Sequence, residues 1–323
     1  MTLTRKRYLK LAVPFILSTV TQPLLGAVDT SVVGHLQDDV YLGGVAIGTV
    51  IFNTMYWLFG FLRISTSAHS AQASGSGDRD QRSQSLIHPA IIALVTGCLF
   101  ILCRHWIFEL SMRIMNVSAP VAQQASIYYE TLIWTAPLVL LNYVLLGWLM
   151  GQQDARSTML LQIGANVLNI VLSIYCVIHL QLNVFGVAIA TVVAHVLSFV
   201  VGCLLVFRHL PVRELLASSW NIQKDALKDY LTANMDLVIR TVCLLTMTNL
   251  FMRFSSNSGP EYLAANSVLW QLQYVLVYFF DGLGNAASVF SGKALGQHSD
   301  SFLKTTIRLT NEFALVLMVL QTI

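Results

Sequence analysis

Residues 13–35, VPFILSTVTQPLLGAVDTSVVGH, are apolar enough to cross a lipid bilayer, yet they contain the carboxylate of Asp29 and two prolines, Pro14 and Pro23. An ionisable group inside a spanning helix costs about 2.5–3.5 kcal/mol on insertion scales, so such a group usually marks a functional site. Proline removes a backbone hydrogen bond and can bend the helix. The pattern predicts a hinged helix with a buried acid. The alternative is a structural helix whose Asp29 is bound to a neighbouring hydroxyl or amide.

The composition is that of a polytopic membrane protein. Of the 323 residues, 55% are hydrophobic and 11% are charged, whereas soluble domains carry about 25% charged residues. Windows of about 20 apolar residues predict spanning helices. Nine windows are predicted, at residues 11–33, 45–71, 86–108, 127–150, 158–180, 184–207, 231–253, 263–290 and 306–323.

The distribution of Lys and Arg predicts the orientation in the membrane. With the N-terminus inside the cell, fourteen basic residues fall in inner segments and three, Arg104, Arg113 and Arg253, fall in outer segments. Such an excess of positive charge on the cytoplasmic side is typical of inner-membrane proteins. Arg63 and Arg240 remain inside predicted spans.

Two segments of the chain are related by an offset of 221 residues. Residues 42–75 align without gaps on residues 263–296, and seven of the thirty-four pairs are identical, among them Ser67 with Ser288 and Gly75 with Gly296. Both segments occupy the second span of their half, and the two halves have the same orientation. Parallel repeats of this kind are a transporter architecture.

Several motifs in the chain resemble the multidrug and toxic compound extrusion (MATE) family, and within it the DinF-like branch. The resemblance depends on the spacing of Pro14 and Asp29 and on an ordered series of short motifs. These are VVGHL (32–36), LGGVAIG (42–48), SAQASGSGD (70–78), NMDLVIRT (234–241), LAANSVL (263–269) and FFDGLGNAAS (279–288).

The resemblance implies an all-α polytopic fold of twelve helices in two six-helix lobes around a central cleft. Residues 1–208 are then a complete first lobe of six transmembrane helices. Residues 209–229 form a cytoplasmic linker, and residues 230–323 are about three helices of the second lobe. In the family, export is driven by inward proton or sodium flow.

The resemblance assigns the proton site of the first lobe to Asp29. Polar residues on other first-half spans are candidate partners: Asn142, Asn166, Asn169, Ser173 and Thr191. Asn166 and Asn169 are three apart and share a helix face. Family members often carry an Asp four residues after the first Asn, but this chain has Ser173 four residues after Asn169. The alternative role for these residues is hydrogen bonding between helices, worth about 0.6 kcal/mol each.

The second half offers three further candidates for ion coupling. Asp236 and Arg240 are four apart, so they share a helix face, and we interpret them mainly as a structural ion pair. Asp281 has no partner nearby on its own helix, and the resemblance places it toward the interior of the second lobe. Arg63 either neutralises a neighbouring acid or extends its charge to the interface.

The sequence predicts a secondary antiporter that exports amphipathic or cationic organic compounds against inward proton flow, with sodium as a possible coupling ion. We expect a monomer in the inner membrane with a cytoplasmic N-terminus, and neither a metal, a cofactor nor a nucleic-acid partner. A nucleotide-binding P-loop and hydrolase motifs are absent from the sequence, so an enzyme is not predicted. The alternatives are a flippase for lipid-linked precursors, a membrane enzyme without a visible catalytic motif, and a fragment that does not transport.

Overall fold

The computed structural model describes residues 3–34, 39–217, 224–258 and 260–322. Within these ranges, the structure does not describe the side chains of residues 23–31, 33 and 39, or of many residues between 216 and 275. The described elements are helical, which confirms the predicted all-α fold. The α-helices are α1 (Arg5–Gly34), α2 (Asp39–Leu58), α3 (Phe61–Ser76), α4 (Arg79–Leu102), α5 (Arg104–Met115), α6 (Ala119–Leu132), α7 (Ala136–Gly151), α8 (Ala155–Ile174), α9 (Asn183–His209), α10 (Val212–Ala217), α11 (Lys224–Ser258), α12 (Pro260–Gly296) and α13 (Asp300–Thr322).

Each predicted membrane window coincides with helical structure in the described part of the chain. Five helical segments there are long and apolar enough to cross a membrane: Val40–Ser76, Arg79–Leu102, Ala119–Gly151, Ala155–His179 and Asn183–His209. The four other windows fall within the long helices α1, α11, α12 and α13. Residue 323, the end of the last window, lies outside the described residues.

Two of the predicted windows are interrupted rather than continuous. In the window 45–71, the helix breaks at Phe59–Gly60, where backbone hydrogen bonds of the tighter i→i−3 type close the turn. In the window 127–150, a 3₁₀ turn at Ile133–Thr135 separates α6 from α7. Pro137 lies two residues after this turn. It has no N–H to donate to the carbonyl of Ile133, so it interrupts the hydrogen-bond pattern of the α-helix.

The third predicted window, 86–108, extends too far. Helix α4 ends at Leu102, and Cys103 leaves the helical conformation with φ −88° and ψ 5°. The following residues form the separate short helix α5, which contains no buried residue. Apolar composition alone did not distinguish the end of the span from this exposed helix.

Helix α3 lies between the earlier and the later helices of the chain. It packs extensively against α7 on one side and against α12 on the other. Its residues Phe61 and Leu62 belong to a core cluster formed with α4, α7 and α9. The contact with α12 is therefore the main place where helices α2–α9 meet helices α11–α13.

The beginning of α1 packs against the last two helices. Tyr8 is fully buried between the rings of Phe290 and Phe313, with centroid distances of 5.4 Å to each. The Tyr8 hydroxyl and Thr310 Oγ1 are 2.9 Å apart and share a hydrogen bond. Arg5 also pairs with Glu312 of α13 at 2.8 Å. These contacts attach the first turns of α1 to α12 and α13.

A polar network connects the ends of α4, α7, α8 and α9. Asp154 caps α8 by accepting a hydrogen bond from the backbone N–H of Ser157 at 3.1 Å, and its second oxygen lies 2.7 Å from His209 Nε2. The carbonyl of His209 accepts from Arg82 Nη2 at 3.0 Å, and the carbonyl of Arg82 accepts from Trp148 Nε1 at 3.3 Å. The network fixes the turn between α7 and α8 to the end of α9.

Replacing Asp154 with asparagine should lower the melting temperature of the protein, and the effect should depend on pH. Partial burial raises the pKa of Asp154, but the hydrogen bonds from Ser157 and His209 outweigh burial and hold the pKa below its usual range. A carboxyl whose pKa is lowered by folding contributes stability above its unfolded pKa of about 3.9 and loses that contribution at lower pH. The difference between the wild type and D154N should therefore be full at pH 7 and shrink from about pH 5 to pH 3.

Thermal melts in detergent across this pH range would measure the effect. Asp78→Asn is the matched control, because Asp78 caps α4 in the same way but no hydrogen bond to a histidine is described for it. A difference between wild type and D154N that stays constant down to pH 3 would contradict the assignment.

Candidate ion-coupling site

A hydrogen-bonded cluster joins α1, α8 and α9 at four of the predicted site residues. Asn166 Nδ2 donates to Thr21 Oγ1 of α1 at 3.1 Å. One turn along α8, Asn169 Nδ2 donates to Thr191 Oγ1 of α9 at 2.9 Å, and Ser173 Oγ donates to Asn169 Oδ1 at 3.3 Å. The structure therefore places these four residues on facing helices, within hydrogen-bonding distance of side chains on the neighbouring helix or one turn away.

The part of this cluster at Ser173, Asn169 and Thr191 is a directed and neutral chain of hydrogen bonds. The Ser173 hydroxyl donates to the Asn169 amide, the amide donates to Thr191, and Thr191 donates to the backbone carbonyl of Val187 at 3.0 Å. Ser173 is fully buried and Asn169 is 4% exposed. Buried polar groups are stable only when they are hydrogen-bonded, and this chain meets that condition without any charged group.

Asn142 lies beside the same segment of α9, one turn beyond Thr191. Its Nδ2 donates to the backbone carbonyl of His195 at 3.2 Å, while its Oδ1 is buried without a hydrogen-bond partner among the described residues. The structure therefore places Asn142 next to the α9 side of the cluster, but no described hydrogen bond joins it to Asn169 or Thr191.

The side chain of Asp29, the acid predicted to bind the proton, lies outside the described residues, and so does that of Pro23. Their backbone belongs to α1, which runs from Arg5 to Gly34 and includes Pro14 without a break. Helix α1 packs against α8. The predicted role of the two prolines as hinges stays a prediction.

Asp281, expected to have no partner on its own helix, pairs with Arg63 of α3. Arg63 Nη2 donates to Asp281 Oδ2 at 3.1 Å, and the two side chains are 17% and 35% exposed. Of the two roles predicted for Arg63, the structure shows the neutralisation of an acid. Tyr143 and Tyr278 lie within electrostatic range of this pair.

Asp236 and Arg240 are placed differently from the structural ion pair that their spacing suggested. Both side chains are exposed, and the described structure contains no ion pair between them. The i,i+4 spacing places both residues on one face of α11, but it does not by itself bring their charged groups together.

A further polar contact between α3 and α11 was missed by the sequence analysis. Asn234 Nδ2 donates to Ser65 Oγ at 3.0 Å, and both side chains are buried. Asn234 precedes the predicted acid Asp236 by two residues, in the motif at residues 234–241. A polar side chain inside an apolar window is the signal that marks it, because such residues hydrogen-bond between membrane helices.

Comparisons with known proteins agree with the helical architecture. Solved structures with the same fold include an outward-facing conformation of a multidrug resistance MATE family transporter, with a TM-score of 0.87 and 21% identity over 98% of this chain and 70% of the other. A MATE structure in the bent conformation has a TM-score of 0.85 and 23% identity, over 98% of this chain and 71% of the other.

Sequence relatives point in the same direction. The chain is 37% identical to the DNA damage-inducible protein F of Escherichia coli (strain K12) over 297 residues, which are 91% of this chain and 64% of that protein. It is 25% identical to the probable multidrug resistance protein NorM of Synechocystis sp. over 90% of this chain and 64% of that protein. The chain therefore spans a little under two thirds of the length of these relatives.

The family model MatE matches residues 14–175 and 237–323. This match includes α8 with the Asn169–Ser173 pair, and Asp281 in α12. The resemblance to the MATE family and its DinF-like branch is confirmed, and the chain belongs to the MatE family.

Proposed function

We propose that this protein is a secondary antiporter that exports amphipathic organic cations in exchange for protons. Asp29 is the coupling carboxylate, and the protein works as a monomer in the inner membrane with its N-terminus in the cytoplasm. The observation that carries the proposal is the neutral hydrogen-bond chain Ser173–Asn169–Thr191 beside α1. The described side chains of this site, inside an apolar bundle, include no acid.

The geometry of α1 and α8 supports Asp29 as the acid of this site. Three predicted crossings separate the start of α8 from the end of α1, so the two helices run in the same direction. Thr21 of α1 meets Asn166 of α8. Eight residues further along α1 are about 12 Å in a helix, so we expect the Asp29 backbone at about the level of Ser173.

Two other acids inside the membrane windows have basic partners, whereas no ion pair is described for Asp236, which is exposed on α11. Glu130 lies 3.6 Å from Arg104, and Asp281 is paired with Arg63. A paired carboxylate gains from staying charged, whereas a buried carboxylate without a cation gains from binding a proton. Glu130 and Asp281 are therefore less suited to loading and releasing a proton, and Asp29 is the acid proposed for that role.

The composition of the same site favours a proton over sodium as the coupling ion. Sodium prefers several oxygen ligands, including carboxylates, as other hard cations do. At Ser173 this chain has a hydroxyl where family members often carry a second acid, and the hydroxyl is already used as a donor to Asn169. A site whose described side chains are neutral, completed by one carboxylate, is better suited to a proton.

The alternative of a lipid-precursor flippase receives less support. A pyrophosphate head group requires a cationic groove, and Arg63 is the basic residue that lies well inside the first-half windows. Because Arg63 is engaged by Asp281, this charge is already balanced in the described structure.

Everted membrane vesicles test the proposed function directly. In vesicles from cells that express the protein, adding a cationic dye should collapse part of an imposed pH gradient, and vesicles with an empty vector should show no such effect. A sodium gradient without a pH gradient should not drive dye movement. Dye movement on sodium alone would overturn the choice of ion, and no movement with either gradient would overturn antiport by this chain.

A further inference from the structure

The contact between α3 and α12 is unusually close along its last turns. A Cβ atom built on Gly292 would lie 2.6 Å from the carbonyl oxygen of Ala68, and one on Gly75 would lie 2.5 Å from that of Lys293. A Cβ on Gly296 would collide with the carbonyl oxygen of Gln72. Backbone meets backbone at these positions, so any larger residue would push the two helices apart.

The spacing of these glycines explains the close approach. Gly292 and Gly296 are four residues apart and therefore lie on one face of α12. Small residues at this spacing allow membrane helices to approach closely and to gain van der Waals contact. Gly75 and Gly296 are also the equivalent pair in the 221-residue repeat, so the close contact is formed by the corresponding ends of the two repeat copies.

The ion pair Arg63–Asp281 lies at the other end of the same contact. Arg63 precedes Gly75 by twelve residues, which is about 18 Å along a helix. The two helices are thus held at two separate points, by a close backbone contact at one end and by opposite charges nearer the middle of the membrane. Separating the charges there would leave both in a region of low dielectric constant, which is costly.

We propose that α3 and α12 form a latch, defined by the Arg63–Asp281 pair and the contact of Gly75, Gly292 and Gly296, that keeps one side of the transporter closed. Arg63 and Asp281 are positioning residues in this latch, because their pairing holds the helices and does not require contact with the transported compound. The latch closes the side at which α1 begins and α3 and α12 end.

This role rests on the proposed antiport function, since alternating access requires that the same contact opens during each cycle. A ligand or proton can open it only by binding the open state more tightly than the closed state. The latch sets how large that difference must be. The strength of the latch therefore determines the relative populations of the open and closed states.

Cross-linking tests the latch without any transport measurement. Lys293 Nζ of α12 donates to Gln153 Oε1, in the turn after α7, at 3.3 Å, so cysteines at these two positions report whether α12 stays in contact with this turn. The parent protein carries Gln153→Cys and Lys293→Cys and lacks the five native cysteines. We expect a short bifunctional maleimide to link the pair rapidly in membranes without substrate or an ion gradient.

Two kinds of change should each slow the initial rate of cross-linking by about fivefold, the lower end of typical coupling between two states. Arg63→Asp places like charges together, and Gly296→Ala introduces a Cβ against Gln72. Gly284→Ala is the matched control on the same helix, because a Cβ there would meet no atom within 4 Å. Its cross-linking rate should equal that of the parent.

The charge swap distinguishes the latch from a general loss of structure. The double variant Arg63→Asp with Asp281→Arg should recover most of the rate that Arg63→Asp loses. Unchanged rates in both Arg63→Asp and Gly296→Ala would overturn the latch, and failure of the swap to recover the rate would remove the ion pair from it. Because no gradient or substrate is present, these results are independent of whether proton-driven export is observed.

Discussion

Replacing Asp29 with asparagine is expected to reduce proton-driven dye export to the level of vesicles that lack the protein. Asparagine has nearly the same shape as aspartate but cannot take up and release a proton at physiological pH. A proton can drive the exchange between two states only if its affinity differs between them. Without a titrating group, that difference is lost, while the helix itself is preserved.

The matched control for this prediction is Glu130→Gln. Glu130 is the other carboxylate within the first six membrane windows, and it pairs with Arg104 near the end of its span. Export by E130Q should stay close to that of the wild type. Dye export by D29N at the wild-type rate would exclude Asp29 as the coupling acid. Equal loss in D29N and E130Q would mean that the assay reports general damage.

Replacing Trp148 with alanine should cause the largest loss of stability among the changes considered. Trp148 is fully buried in α7, and its indole N–H donates to the carbonyl of Arg82. The Arg82 guanidinium lies 5.5 Å from the ring centroid. Removing a buried tryptophan leaves a cavity and costs about 3–5 kcal/mol. We expect the melting temperature in detergent to fall by about 5–10 °C.

Two further variants separate the causes of this loss. Trp148→Phe keeps most of the ring volume and removes the indole hydrogen bond to the Arg82 carbonyl, which still accepts from Ser85 Oγ at 2.7 Å. A loss of about 0.5–1.5 kcal/mol is therefore expected. Trp106→Ala removes a side chain that is 77% exposed on α5, and its effect should stay within about 0.5 kcal/mol. A wild-type melting temperature for W148A would contradict the importance of this network at the ends of α4, α7 and α9.

Local patterns predicted much of the fold and part of the site. The apolar windows located the helices, because the bilayer fixes the length of a spanning segment. The three-residue spacing of Asn166 and Asn169 placed both on one face of α8, and the structure joins them to α1 and α9. These predictions succeed because they depend on helix geometry and on neighbours within a few turns.

Contacts between distant parts of the chain could not be predicted in this way. Arg63 and Asp281 are separated by 218 residues, and no pattern within either helix identifies the other as its partner. The break at Phe59–Gly60 and the 3₁₀ turn before Pro137 also escaped the hydropathy windows, since hydropathy does not depend on backbone conformation. The prediction of an Asp236–Arg240 ion pair was wrong for a different reason. The i,i+4 spacing is favourable, but both side chains are exposed.

The attachment of α1 has a mechanical consequence. Thr19 Oγ1 lies 2.9 Å from the carbonyl oxygen of Tyr278 on α12, whereas Thr21 Oγ1 accepts from Asn166 on α8. Two residues within a single turn of α1 are therefore hydrogen-bonded to two different helices. If α8 and α12 move apart, α1 must deform, or the hydrogen bond of Thr19 or that of Thr21 must break. A movement of α8 relative to α12 would therefore also move α1, the helix that contains Asp29.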